Sequence, residues 1–158
     1  MRKHQLAHLI AVAGLAFGTL APSPVSAQAS AVTTNERVPI ELTVFIPCVP
    51  ENVTVTGTLH VVTHTTVNPD GSFHLVTHFN PQGVSGVGDV TGDQYRGTGV
   101  TQQTFNLNAG QQFTFVNNFR FIGQGPGNNS TLHQTVHTTV NANGEVTTVV
   151  DNFRAECQ

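Results

Sequence analysis

"HVVTHTTVNPDGSFHLVTH" runs from His60 to His78 and decides the fold. Two His-x-x-x-His spacings flank a turn signal, Asn68-Pro69-Asp70-Gly71. On a helix that spacing would stack two imidazoles one turn apart. The segment is rich in β-branched Val and Thr, and its residues alternate: Leu59, Val61, Phe73, Leu75 and Phe79 against His60, His64, His74 and His78. Period two with β-branched and aromatic residues predicts half-buried strands. The stretch therefore reads as a hairpin whose turn is type I, with Gly71 in the left-handed position of a bulge. Its apolar face must be core, and its His face must meet water, a partner or a shallow groove.

The same pattern extends in both directions. Val53 and Val55 alternate with Thr54 and Thr56, and Phe113, Phe115, Phe119 and Phe121 share one strand face. Turn signals recur at Asn108–Gly110, Gly125–Asn129 and Asn141–Gly144. No stretch after residue 29 carries a helical stripe. The expectation is one all-β antiparallel domain of about 7–8 strands, a small barrel or a sandwich. The segment Ala29–Glu36 reads as a loose polar start. The glycine-rich stretch Asn80–Gly99 reads as a long turn, which Tyr95 could cap through its hydroxyl.

An internal repeat supports the hairpin reading. "TLHVVTHTTVNPDG" (Thr58–Gly71) aligns with "TLHQTVHTTVNANG" (Thr131–Gly144), with nine of 14 positions identical. Two related hairpins are expected. A second echo, Asn117–Arg120 against Asp151–Arg154, places Arg120 and Arg154 near strand ends, where they can pair with acids.

Residues 1–29 read as a signal peptide. Arg2 and Lys3 precede an apolar run, Leu9–Ala21, too short to span a bilayer well. Small residues then offer cleavage after Ala27 or Ala29, and no cysteine sits there to take a lipid anchor. The expected product is secreted or periplasmic, spans 30–158 and carries no membrane anchor. It holds four arginines against nine acids, a net charge of −5 with neutral His. Nucleic acid and anionic membrane surfaces are poor partners for that balance. Export also bears on Cys48 and Cys157, which an oxidising compartment would pair. Such a bond needs Cα atoms within about 7 Å. It would close a loop of about 110 residues, worth roughly 4–5 kcal/mol by chain entropy. Two buried free thiols are the alternative.

Every histidine of the mature chain belongs to a pair: His60 and His64, His74 and His78, His133 and His137. Along a strand, residues four apart are about 13 Å apart, so one pair cannot chelate one ion. The first hairpin, however, is expected to set His64 roughly opposite His74 and His60 opposite His78, with Cβ atoms about 5 Å apart. The repeat maps His78 onto Asp151, so the second hairpin is expected to offer His133, His137 and a carboxylate. Cross-strand sites of this kind suit Zn, Cu or Ni. Two other readings stand beside it: a wet strand face that repeats its histidines, and a contact between copies of the chain in a homo-oligomer.

Other chemistry is sparse. Gly86-x-Gly88 lacks the third glycine and the helix of a nucleotide site. Ser85 lacks the final glycine of a nucleophile elbow. Asp89 and Asp93 do not fit the EF-hand series. Asn52, Asn128 and Asn129 head Asn-x-Ser/Thr triplets.

"NPQGVSGVG", "TGDQYRGTGVTQ", "FTFVNNFRFIGQGPGNN" and "HTTVNANGEVT" resemble a family of small exported bacterial β proteins with no assigned activity. The resemblance covers most of the chain after residue 29. It implies secretion and a compact β domain, and supplies no catalytic residue. The overall plan is also similar to the eight-stranded barrels of the allene oxide cyclase and dirigent group, in architecture alone. The expected function is a non-catalytic binding or structural module, with a divalent metal on its histidines as a further option. The rival is a small β-barrel enzyme, a cyclase or isomerase or a metal-dependent oxidoreductase. That rival requires polar groups such as His60, Asp151 and Arg120 to converge in a lumen.

Overall fold

The computed structural model describes residues 28–158; the apolar run Leu9–Ala21 of the expected signal peptide lies outside them. Seven strands follow one another: β1 (Ser30–Ile46), β2 (Glu51–Val67), β3 (Phe73–Gly88), β4 (Gln94–Leu107), β5 (Gln111–Gly123), β6 (Ser130–Val140) and β7 (Val146–Cys157). Each pairs antiparallel with the next, in one sheet of order β1-β2-β3-β4-β5-β6-β7. The all-β, antiparallel expectation holds. Among the described residues neither a closed barrel nor a two-layer sandwich forms, because there is one sheet and its edges, β1 and β7, do not pair with each other. Six successive reversals leave those edge strands parallel to each other.

The sheet has two chemically distinct faces. Following the register, Ile40, Leu42, Val44, Val55, Leu59, Phe79, Phe115, Phe119 and Leu132 share one face. All six histidines of the described residues share the other. The sheet curls around its apolar face. A tightly packed core of Ile46, Val53, Val55, Val84, Tyr95 and Phe121 fills one end of the curl, each at most 2% exposed. Burying side chains of this size stabilises by about 1.5–3 kcal/mol each.

The same end is pinned covalently. Cys48, just beyond β1, is bonded to Cys157 at the end of β7, with Cα atoms 5.3 Å apart. The expected disulfide is present, and it brings the C-terminal ends of the two edge strands together. Among the described residues, no helix is long and apolar enough to cross a membrane.

Both repeated hairpins turn in the same way. Gly71 N–H donates to Asn68 O at 3.0 Å, and Gly144 N–H to Asn141 O at 3.0 Å. The two glycines have φ of 84° and 83°, a left-handed conformation that costs a Cβ-bearing residue energy. The Ser72 hydroxyl and amide both donate to Asp70, and hold its carboxyl below the ordinary carboxylate range.

Two segments depart from expectation. The polar start, Ala29–Glu36, is not loose: β1 begins at Ser30 and pairs with β2 along its whole length. An edge strand is wet on both faces at its far end, so its composition looks like a tail. The glycine-rich stretch is mostly strand as well, and the turn is confined to the residues between Gly88 and Gln94. Within it, β3 bulges between Gln82 and Ser85 opposite Gly57. The extra residue turns Val84 into the core. A Cβ on Gly57 would lie 2.7 Å from the Val84 Cα, so the bulge needs glycine there.

Candidate functional site

The six histidines lie on the convex, polar face, but not in the expected register. The hairpin pairs Val67 with Phe73, which puts His64 opposite Val76, His74 opposite Thr66, His60 opposite Asn80 and His78 opposite Val62. Each ring is displaced by two residues from the expected partner. The face is preserved, and the contacts become diagonal, with typical separations of about 7–8 Å. The cause is the turn: Asn68 N–H donates to Ser72 O at 2.8 Å, leaving Pro69, Asp70 and Gly71 as the loop.

The rings bond to neighbouring strands rather than to one another. His64 Nδ1 lies 2.8 Å from Thr33 Oγ1, and His60 Nε2 lies 2.7 Å from Asn35 Oδ1. His133 Nδ1 meets Asn118 Oδ1 at 2.8 Å, and His137 Nδ1 meets Thr114 Oγ1 at 2.8 Å. His74 Nδ1 bonds to Asn106 Oδ1. The repeat is thus reproduced in space: the first His of β2 and of β6 takes an Asn on the preceding strand, and the second takes a Thr.

Asp151 does not join His133 and His137. A one-residue irregularity between Thr139 and Val140 shifts the β6–β7 register, so Asp151 pairs with Val136 instead of Thr135. A shift of one residue reverses the face. Asp151 therefore points to the concave side, where Gln134 Nε2 donates to its Oδ1 at 3.4 Å. Among the described residues, no group of three His, Cys, Asp or Glu side chains is placed to hold a metal ion. A diagonal His pair supplies two nitrogens, whereas zinc sites use three or four protein ligands.

Arg120 and Arg154 are also convex. Arg120 Nη2 donates to Gln158 Oε1 at 3.0 Å, and Arg154 forms an ion pair with Glu156. His60 and Arg120 on one face and Asp151 on the other do not converge.

The concave face holds a different feature. Above the packed core the curl is unfilled, leaving a groove of about 370 Å³ lined by residues of β1 through β6. Its walls include Leu42, Leu59, Phe79, Phe115, Phe119 and Leu132. Three polar side chains interrupt them: Thr101, Gln103 and Asn117. Thr101 and Asn117 are paired across β4 and β5, and Thr101 Oγ1 donates to Asn117 Oδ1 at 2.8 Å. Small-molecule sites typically occupy about 300–1,000 Å³ and combine apolar walls with a few polar groups.

Beneath the groove, the closed end is held by a buried carboxylate. Glu51, 2% exposed, accepts from Tyr95 Oη at 2.7 Å and from the Val90 and Thr91 amides at 3.0 Å each. Thr91 Oγ1 adds a bond of 2.9 Å. These donors, Tyr95 first and the Thr91 amide next, lower the carboxyl from its ordinary 4.5 to about 2. Burial, followed by the bond to Glu51, raises the Tyr95 phenol to about 12. Tyr95 thus caps the β3–β4 turn through Glu51 rather than directly. Asn128 extends the clamp, donating to Asp93 Oδ2 at 2.8 Å. It is fully buried, so of the three Asn-x-Ser/Thr positions it is closed to a glycan in the folded protein.

Of the clamp, the sequence pointed only to the Tyr95 hydroxyl at the β3–β4 turn, and the groove was not anticipated. Glu51 carried a signal: it shares strand parity with Val53 and Val55, and so points an acid into the core. The groove carried none, because it arises from the curl of the whole sheet. No family model matches the chain, and neither a curated protein nor a solved structure matches it.

Proposed function

We propose that the protein is an exported, disulfide-pinned β module that binds a small apolar molecule in its concave groove. The observation that carries this reading is the groove itself: about 370 Å³ of apolar space, built by six strands of one sheet and left unfilled above a packed core. A sheet curled only to bury its own core would fill that space with side chains. Export is supported by the apolar leader with its small-residue cleavage region, by the Cys48–Cys157 bond, and by the resemblance to small exported β proteins. A non-catalytic role is supported by the chemistry of the groove, whose polar side chains are a Thr, a Gln and an Asn. None of these is a usual general acid or base.

The test is a fluorescence titration of the mature protein with the apolar probe N-phenyl-1-naphthylamine. Saturable binding is expected. Phe115→Asp, which sets a charge in the wall, should weaken it by at least about tenfold, equivalent to ~1.4 kcal/mol. His64→Ala, on the convex face, should leave it unchanged. Non-saturable fluorescence, or equal titrations for wild type and Phe115→Asp, would refute the reading.

A further inference from the structure

The groove is not uniformly apolar, and its polar residues are uncharged. We infer that its ligand is a neutral molecule: an apolar skeleton carrying a hydroxyl or carbonyl oxygen that meets the Thr101–Asn117 pair. The inference rests on the reading of the groove as a ligand site, and specifies the class of ligand.

Three observations lead to it. Thr101, Gln103 and Asn117 form a polar spot among apolar walls: Phe79 lies beside Thr101, Phe115 opposite Gln103, and Phe119 and Phe121 towards the closed end. All three polar residues are half-buried, and a ligand that covers them must replace the water they would lose.

The hydrogen-bonding capacity left over is that of neutral groups. Thr101 donates its one hydroxyl proton to Asn117 Oδ1, so the Asn117 Nδ2 protons remain as donors and the Thr101 oxygen as an acceptor. The Gln103 amide contributes one group of each kind. A hydroxyl can use both, and a carbonyl the donors.

The charge distribution rejects anions. By strand register Arg37, Arg96, Arg120 and Arg154 all lie on the convex face with the histidines. Among the described residues, the concave face thus carries no arginine, while Asp151 and Glu36 lie on it. A carboxylate, phosphate or sulfate there would lose its hydration against Phe and Leu side chains and gain no counter-charge. Apolar tails ending in a carboxylate are disfavoured for that reason, and alcohols, ketones and amides of the same skeleton are favoured.

The experiment is displacement of N-phenyl-1-naphthylamine at neutral pH by dodecanol, dodecanamide and dodecanoate. Dodecanol and dodecanamide should displace the probe at concentrations at least about tenfold lower than dodecanoate. Asn117→Leu should reduce that preference for dodecanol, read as the ratio of the dodecanol and dodecanoate displacement constants after the probe has been titrated again on the variant. Gln103→Arg should shift the preference towards dodecanoate, and serves as a second variant if Asn117→Leu folds poorly. Dodecanoate binding as tightly as dodecanol, or unchanged selectivity in both variants with the probe still bound, would overturn the inference and leave the apolar site standing. Failure of the probe to bind wild type would remove both.

Discussion

Glu51 is the residue on which the closed end of the sheet depends. Its carboxylate gathers a phenol, a hydroxyl and two amides from β4 and the β3–β4 turn. Tyr95→Phe keeps the ring and removes the donor. The expected loss of stability is about 1.5–3 kcal/mol, as for a hydrogen bond to a charged group, measured by urea denaturation. Because the folded carboxyl sits at about 2 against an ordinary 4.5, its ionised form stabilises the fold. That contribution is complete above 4.5 and is lost as the pH falls towards 2. Stability measured from pH 6 down to about pH 2 should therefore fall in wild type and fall less in Glu51→Gln, which should start lower. Parallel profiles would show that Glu51 is not the group responsible. The parity of Glu51 with Val53 and Val55 made an inward acid readable in the sequence; its partners, 39 to 44 residues away, were not.

At the level of elements, alternation specified which side chains share a face, and for β2 and β3 it specified the face correctly. It did not specify register. A two-residue displacement keeps period two intact, so the hairpin could move His64 from His74 to Val76 without disturbing the pattern. The irregularity at Thr139–Val140 acts in the opposite way, because a one-residue shift sends Asp151 to the other face. No feature of local composition announced it. The turns were legible, since Asn-x-x-Gly with a left-handed glycine has few alternatives. Gly71→Ala and Gly144→Ala meet no atom within 4 Å, so their effect isolates backbone strain. Each should cost about 1–2 kcal/mol by thermal or urea denaturation. A negligible effect at either position would mean that the hairpin reaches the same register through a different turn.

As a whole, the described residues form a curled sheet, pinned at one end, whose two edge strands do not pair with each other. Its curvature makes the groove, and curvature belongs to seven strands together rather than to any segment. For that reason the all-β class and the disulfide were accessible from sequence, whereas the groove was not. The Cys48–Cys157 bond closes the longest loop in the chain and holds the end where the core packs. Its removal in the Cys48→Ser/Cys157→Ser variant should cost about 2–5 kcal/mol. Unchanged stability would show that core packing alone holds the curl.

The central claim is that an apolar molecule occupies the concave face. The most direct measurement is the set of nuclear Overhauser effects between bound N-phenyl-1-naphthylamine and methyl-labelled protein. The account predicts contacts from the probe to Leu42, Leu59, Leu132 and Val55, which line the groove from β1, β2 and β6, and none to Val62 or Val76 among the histidines. Contacts confined to Val62 and Val76, or to the open edge at Val146 and Val149, would contradict it.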